Sequence, residues 1–221
     1  IITQGKFFNA GNLSSVARQI AVVSILGIGF TLIMASGEVD LSVGQLLNVV
    51  AILYGILSLN FPIGIAIALS LAIGTFIGFT NGFITHMFKL PPFILTLASA
   101  LVFKGFAWIL CDGKSISGLP EEVKFAGQGV LFGFFPVSVA IMIVLLIAIS
   151  VTVYRTQYGR YVIATGGNAE AARVSGINTL GIRISVYAIM GFCCAVGAIV
   201  LTGRVSTALP NTADGMEMDA I

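Results

Sequence analysis

Long, uninterrupted apolar runs dominate this chain, broken by short polar stretches. Six runs have the length of membrane helices or approach it: 20–36, 46–59, 61–80, 93–111, 130–153 and 184–202. A helix needs about 20 mainly apolar residues to cross about 30 Å of hydrocarbon. The runs are continuously apolar rather than alternating, which excludes a membrane barrel, and an isolated strand cannot satisfy its backbone in lipid. Each run is therefore read as a helix. The second run is short, and little more than Asn60 parts it from the third. Pro62 then stands near a helix start, where its missing N–H costs little. A tight turn between two tilted helices is the preferred reading, with a broken or re-entrant segment as its competitor. The predicted fold class is an all-α polytopic membrane protein with about six transmembrane helices, in a single domain over 1–221.

Within the third run, Ala66, Ser70, Gly74, Gly78 and Gly82 recur every four residues and form one flat face of small side chains. Lipid supplies no hydrophobic drive between helices, so close backbone approach must hold them together. Gly191 and Ala195 give the last run a shorter version of the same face.

Composition agrees with this reading. The chain is 57% hydrophobic and 9% charged, with a mean hydropathy of +1.06, against about 25% charged residues in a soluble domain. Membrane lipid is thus its principal solvent. A net charge of +2 is too small for a nucleic-acid partner. Cys111, Cys193 and Cys194 form no disulfide framework, the adjacent pair reads as buried packing, and a single His86 makes no metal cluster. The chain opens on Ile1-Ile2-Thr3, without methionine or a signal-peptide pattern, and closes on Met218-Asp219-Ala220-Ile221. The expectation is a stretch of a longer membrane protein, incomplete at both ends.

Positive charge sets orientation. Segment 154–183 holds Arg155, Arg160, Arg173 and Arg183 against a single acid, Glu170, and is placed in the cytoplasm. Segments 112–129 and 203–221, richer in acids, are placed outside; alternation puts 81–92 inside and 1–19 outside. Summed over all segments the basic residues balance, since Lys89 joins the four arginines inside while Lys6, Arg18, Lys114, Lys124 and Arg204 lie outside. Orientation therefore rests on the one dense loop.

Candidate chemistry is sparse. Gly113-Lys114-Ser115 resembles the end of a phosphate-binding loop, but Trp108 stands where that loop needs glycine. No nucleophile elbow or zinc helix is present in the sequence, so no enzyme and no cofactor are expected. Ionisable groups at membrane depth are functional candidates by default. Lys104 is one, either snorkelling or paired, or lining a pathway. The segment Gly37-Glu38-Val39-Asp40-Leu41-Ser42-Val43-Gly44 is another. Asp40 or Ser42 could cap the following helix, and the bend is either a surface loop or the lining of a central cavity. In the basic loop, Asn168 predicts a helix N-cap and Glu170 suits a first turn, with a short Ala-rich helix ending at Gly176. A structured helix between two spans reads as a docking element for another protein, with a surface-lying amphipathic helix as the alternative.

These residues carry a family resemblance. Ser36 to Gly44 resembles the G-G-[IV]-D-L-S-V-G motif of the permease subunits of bacterial ABC sugar importers of the ribose type. Asn81-Gly82, Pro92 to Leu97, Ile116 to Pro120, Tyr158 to Ile177 and the tail Gly215 to Ile221 match further motifs, in order, over nearly the whole chain. Glu38 stands where a second glycine is common and Lys104 where arginine is frequent. Glu170-Ala171-Ala172-x-x-x-Gly176 is similar to the E-A-A-x-x-x-G pattern whose cytoplasmic loop contacts the ATPase. The resemblance implies an ATPase-coupling loop carrying Arg160, Asn168, Glu170, Ala171, Ala172, Arg173 and Gly176. Glu38, Asp40, Ser42, Asn81 and Lys104 become pathway or helix-break candidates. It also implies an ABC ATPase subunit, a periplasmic or lipoprotein sugar-binding protein and a second permease subunit, identical or not, in the bacterial inner membrane. Implied cargoes are pentoses such as ribose or xylose, galactosides and a furanosyl signalling molecule. Alternatives are a branched-chain amino-acid permease, whose loop signature fits less well, or a non-transporting membrane scaffold.

Overall fold

The computed structural model describes residues 10–220. Lys6 and Ile221, used above for orientation and for the tail motif, lie outside the described residues. Among those described, six helices are long and apolar enough to cross a membrane. They are α1 (Ala10–Ala35), α2 (Val43–Asn60), α3 (Ile63–Met87), α4 (Pro92–Leu110), α6 (Val137–Arg155) and α9 (Thr179–Val205), with shorter helices α5 (Glu121–Gln128), α7 (Gln157–Gly167), α8 (Ala169–Val174) and α10 (Met216–Ala220). Strands β1 (Val130–Leu131) and β2 (Phe135–Pro136) make one antiparallel hairpin.

Helix α2, the weak run, is continuous from Val43 to Asn60 and buried over most of its length, up to its exposed Leu59–Asn60 end. Its modest hydrophobicity follows from position, because it packs on α3, α4 and α9 rather than on lipid. Polar Gln45 and Asn48 can therefore sit on it, buried and hydrogen-bonded. Helices α3 and α9 form the most extensive pairing of the described residues. Ala66, Ser70, Gly74, Gly78 and Gly82 are all buried, and the glycines of this row face α9. A Cβ on Gly74 would lie 2.7 Å from the Ala195 Cβ and 2.8 Å from the Gly191 oxygen. One on Gly78 would collide with the Tyr187 carbonyl, and one on Gly191 with the Gly74 carbonyl. The Ser70 hydroxyl donates to the Ala66 carbonyl at 2.7 Å, which satisfies it inside an apolar span.

Several boundaries differ from the sequence reading. Helix α1 starts ten residues before the apolar run at 20 and α3 continues to Met87, because helical hydrogen bonding does not stop where hydrophobicity does. The fifth span begins at Val137 rather than 130. The apolar stretch before it is the hairpin, turned at Gly133 (φ +83°) and closed by Pro136, which disfavours the α region for Phe135. Segment 112–129 contains α5, whose Gln128 side chain donates to the Arg204 carbonyl and the Ser206 hydroxyl, both at 2.9 Å, and so covers the end of α9.

The tail after α9, placed outside by its charge, folds back on the bundle. Ala208 pairs with Ile116 and packs beside Gly55, Ala213 donates its N–H to the Asn48 Oδ1 at 2.9 Å, and Glu217 abuts Gly44. The chain thus runs back along α2 from Gly55 to Gly44, about 16 Å by helical rise. Buried amides on α2 provide the anchorage that composition alone did not reveal.

Candidate functional site

At one end of the bundle the α1–α2 bend, the end of α3, the start of α4, the start of α9 and the pair α7–α8 come together. This is the end that carries the loop arginines. Gly37 (φ +76°) turns the chain at the bend, and a Cβ on Gly166 of α7 would collide with the Ala35 carbonyl, so α7 lies directly on the end of α1.

The bend is interior rather than a surface loop: Glu38, Asp40 and Ser42 are buried. Asp40 and Ser42 do not cap α2 as expected. Ser42 has helical dihedrals and makes no side-chain cap bond. The Asp40 Oδ1 instead accepts from the Ser42 N–H at 2.9 Å and hydroxyl at 2.6 Å, a local turn that competes with capping. From Ser42 the polar chain continues across helices. The Asn81 amide donates to the Ser42 hydroxyl at 3.0 Å, and the Ser99 hydroxyl donates to the Asn81 Oδ1 at 3.0 Å. Asp40, Ser42 and Asn81, far apart in sequence, therefore form one connected set reaching α4. Burial pushes the Asp40 carboxyl above its usual range, opposed in part by the Ser42 hydrogen bonds.

Glu38 points the other way, toward α9. Its Oε1 lies 3.1 Å from the Arg183 Nε and its Oε2 3.7 Å from the His86 Nε2. Burial raises the Glu38 carboxyl, and the Arg183 guanidinium pulls it back. Beside this pair opens a cavity of about 490 Å³, lined by Glu38, Thr85, His86, Lys89, Thr179 and Arg183 among others. The Tyr187 hydroxyl donates to the Val39 carbonyl at 3.1 Å, a second tie between α9 and the bend. Sequence reading missed Arg183, His86 and Tyr187 as partners of the bend, because nothing local pairs residues on different helices.

The basic loop consists of two helices where one was expected. Thr156 caps α7 by accepting from the Gly159 N–H, and Asn168 caps α8 by accepting from the Ala171 N–H at 2.9 Å. Glu170 and Arg173 pair at 2.6 Å on the exposed face of α8, and the guanidinium holds the Glu170 carboxyl below its usual range. Ala172 points inward, whereas Arg160, Asn168, Ala171 and Val174 are exposed. Gly176 ends the unit at φ +86°, which favours glycine. The result is a two-helix ledge seated on the membrane helices, with polar and apolar side chains on its exposed face.

Lys104 belongs to neither group. It pairs with Asp214 of the tail at 2.9 Å, and Asp214 is in turn bound to Gln45 and Asn48 of α2. The three cysteines are free and buried.

Comparison with known proteins agrees with this architecture. The profile of the family described as "Branched-chain amino acid transport system / permease component" matches residues 12–221. The ribose import permease protein RbsC of Escherichia coli (strain K12) is 34% identical over 97% of this chain and 68% of its own length. The fructose import permease protein FrcC of Rhizobium meliloti is 31% identical over 100% of this chain and 64% of its own. The autoinducer 2 import system permease protein LsrC of Yersinia enterocolitica serotype O:8 is 31% identical over 97% and 60%. The chain is shorter than each of these relatives, and no solved structure matches it. With six apolar helices and a family match over most of its length, the chain is a multi-pass bacterial membrane protein that belongs to this family of import permeases.

Proposed function

We propose that this chain is the membrane subunit of an ATP-driven importer that moves a monosaccharide such as ribose across the bacterial inner membrane by alternating access. A separate ABC ATPase would dock on the α7–α8 ledge, a binding protein would deliver cargo at the opposite end, and a second permease subunit would complete the passage. The observation that carries this reading is the ledge itself. A capped, ion-paired helix pair seated on the ends of α1 and α9 can pass a push from a docked partner to the α1–α2 bend through Gly166 and through Arg183–Glu38. Alternating access needs a physical link between the site of ATP binding and the passage. The names of the relatives favour sugar-like cargo.

Affinity purification of the full-length protein from its own host, with mass spectrometry of stoichiometric partners, tests the assembly. An ABC ATPase recovered with the permease supports the importer; repeated recovery without one favours a scaffold subunit. Glu170→Lys and Gly176→Pro each act on the ledge outside the hydrocarbon. Both are expected to abolish uptake of labelled sugar in cells while membrane insertion is unchanged. Normal uptake in both variants would remove the docking role.

A further inference from the structure

Lys104 and Asp214 form an ion pair among apolar helices, and the pair is open on one side, with side chains 47% and 35% exposed. Lys104 lies about 9 Å by helical rise from the Leu110 end of α4. Its ammonium turns to the tail carboxylate at 2.9 Å. Asp214 is itself held in place: its Oδ1 accepts from the Gln45 and Asn48 amides, both at 2.9 Å, and the neighbouring Ala213 N–H is bound by Asn48. The carboxylate is thus anchored on one oxygen by α2, while Oδ2 meets the lysine and retains lone-pair capacity, and the ammonium retains N–H donors.

Charged side chains within a span face water, a cavity or the interior of a bundle, not hydrocarbon. The tail's irregular backbone along α2 points the same way, because non-helical backbone at membrane depth is tolerated where it lines a water-filled space or is buried in protein. We propose that the open side of the Lys104–Asp214 pair faces the water-filled passage and is a contact point there for the hydroxyl groups of a monosaccharide or similar polyol. This deepens the importer reading and rests on it. Gln45 and Asn48 are its positioning residues, acting through Asp214.

Cysteine accessibility in the full-length protein, in membranes that also contain its ATPase and binding protein, tests the assignment. Lys104→Cys is compared with Val102→Cys, which sits two residues away on the opposite side of α4 and is exposed in the structure. The thiolate, which forms in water and not in lipid, is the species that attacks thiol reagents, so a membrane-impermeant reagent is expected to label Lys104→Cys about tenfold faster. Asp214→Cys gives the same comparison from the tail. The wild type, whose three cysteines are buried, sets the background. Among ribose, fructose and xylose, whichever the wild type imports best is expected to slow labelling of Lys104→Cys about twofold or more at saturation, as mass action requires for a shared site. Labelling of both variants no faster than Val102→Cys overturns the passage assignment, and labelling unaffected by the imported sugar overturns the hydroxyl contact. Failure of the wild type to retain an ATPase or import any sugar counts against the importer reading instead, since labelling does not depend on transport.

Discussion

A carboxylate taken out of water needs a cation within reach, and Glu38 has Arg183 and, when protonated, His86. The two halves of the main pair are not equally dependent. The Glu38 side chain is 2% exposed and that of Arg183 is 29% exposed, so an unpartnered Arg183 can turn toward water while an unpartnered Glu38 cannot. Arg183→Met is therefore expected to destabilise the detergent-solubilised protein by about 2–3 kcal/mol, and Glu38→Gln by clearly less. The pH dependence has a definite sign. Burial already raises the Glu38 carboxyl and Arg183 opposes the rise, so losing Arg183 lifts it further. The defect of Arg183→Met is then largest where Glu38 would be charged and shrinks as pH falls through the raised value. Thermal unfolding of the two variants across pH 5 to 8 reads both effects; equal losses, or a defect that deepens on acidification, would refute this account. The pairing was not legible in the sequence. Glu38 was noticed as an acid between apolar runs, but its partners sit on α3 and α9, and only the packing of those helices brings them to the bend.

At the scale of elements, periodicity was the readable signal. A row of small residues every four positions specified which side of α3 meets a neighbour, and Gly191-x-x-x-Ala195 marked the matching side of α9. The physical constraint is backbone against backbone, which a side chain cannot relieve by changing rotamer. Gly78→Ala is accordingly expected to cost about 1–3 kcal/mol through overpacking. Gly105→Ala, on α4 with nothing within 4 Å of the added carbon, is expected to gain about 0.5–1 kcal/mol from helix propensity. Unfolding in detergent separates the two, and a neutral Gly78→Ala would contradict the packing described. What periodicity could not show was anything short. Helix α5 and the hairpin are set by local chemistry over a few residues, the proline start and acidic first turn of one and the Gly133 turn of the other, and an apolar sequence such as Val130 to Phe134 reads like the start of a span. The aromatic tip of that hairpin, with Phe132 90% exposed, suits the membrane–water boundary.

For the whole molecule, two polar systems occupy neighbouring stretches of α2: the bend with its ledge at the arginine-rich end, and the Asp214 anchor at Gln45 and Asn48. The family motif pointed to the first in sequence, since Asp40, Ser42 and Glu170 all fall within it. The second was half visible, because Lys104 stood out while Asp214, Gln45 and Asn48 looked like ordinary loop and helix residues. Asn48→Leu should release the tail by removing both the acceptor for Ala213 and a donor to Asp214. Protease or hydrogen-exchange protection of residues 207–220 is expected to fall while the ledge keeps its protection; unchanged protection in both would mean that the tail is held by other contacts.

The burial of α2 also has a consequence for synthesis. This helix emerges from the ribosome early, yet Asn48 waits for an acceptor-seeking amide 165 residues downstream, and its flank against α9 is empty until that helix arrives. In the interval a segment carrying Gln45 and Asn48 must rest in lipid or at the insertion machinery without its final neighbours. Nascent chains ending shortly after α4 should hold α2 loosely, slipping between inserted and surface-bound positions. Chains that include α9 and the tail should lock it across the membrane.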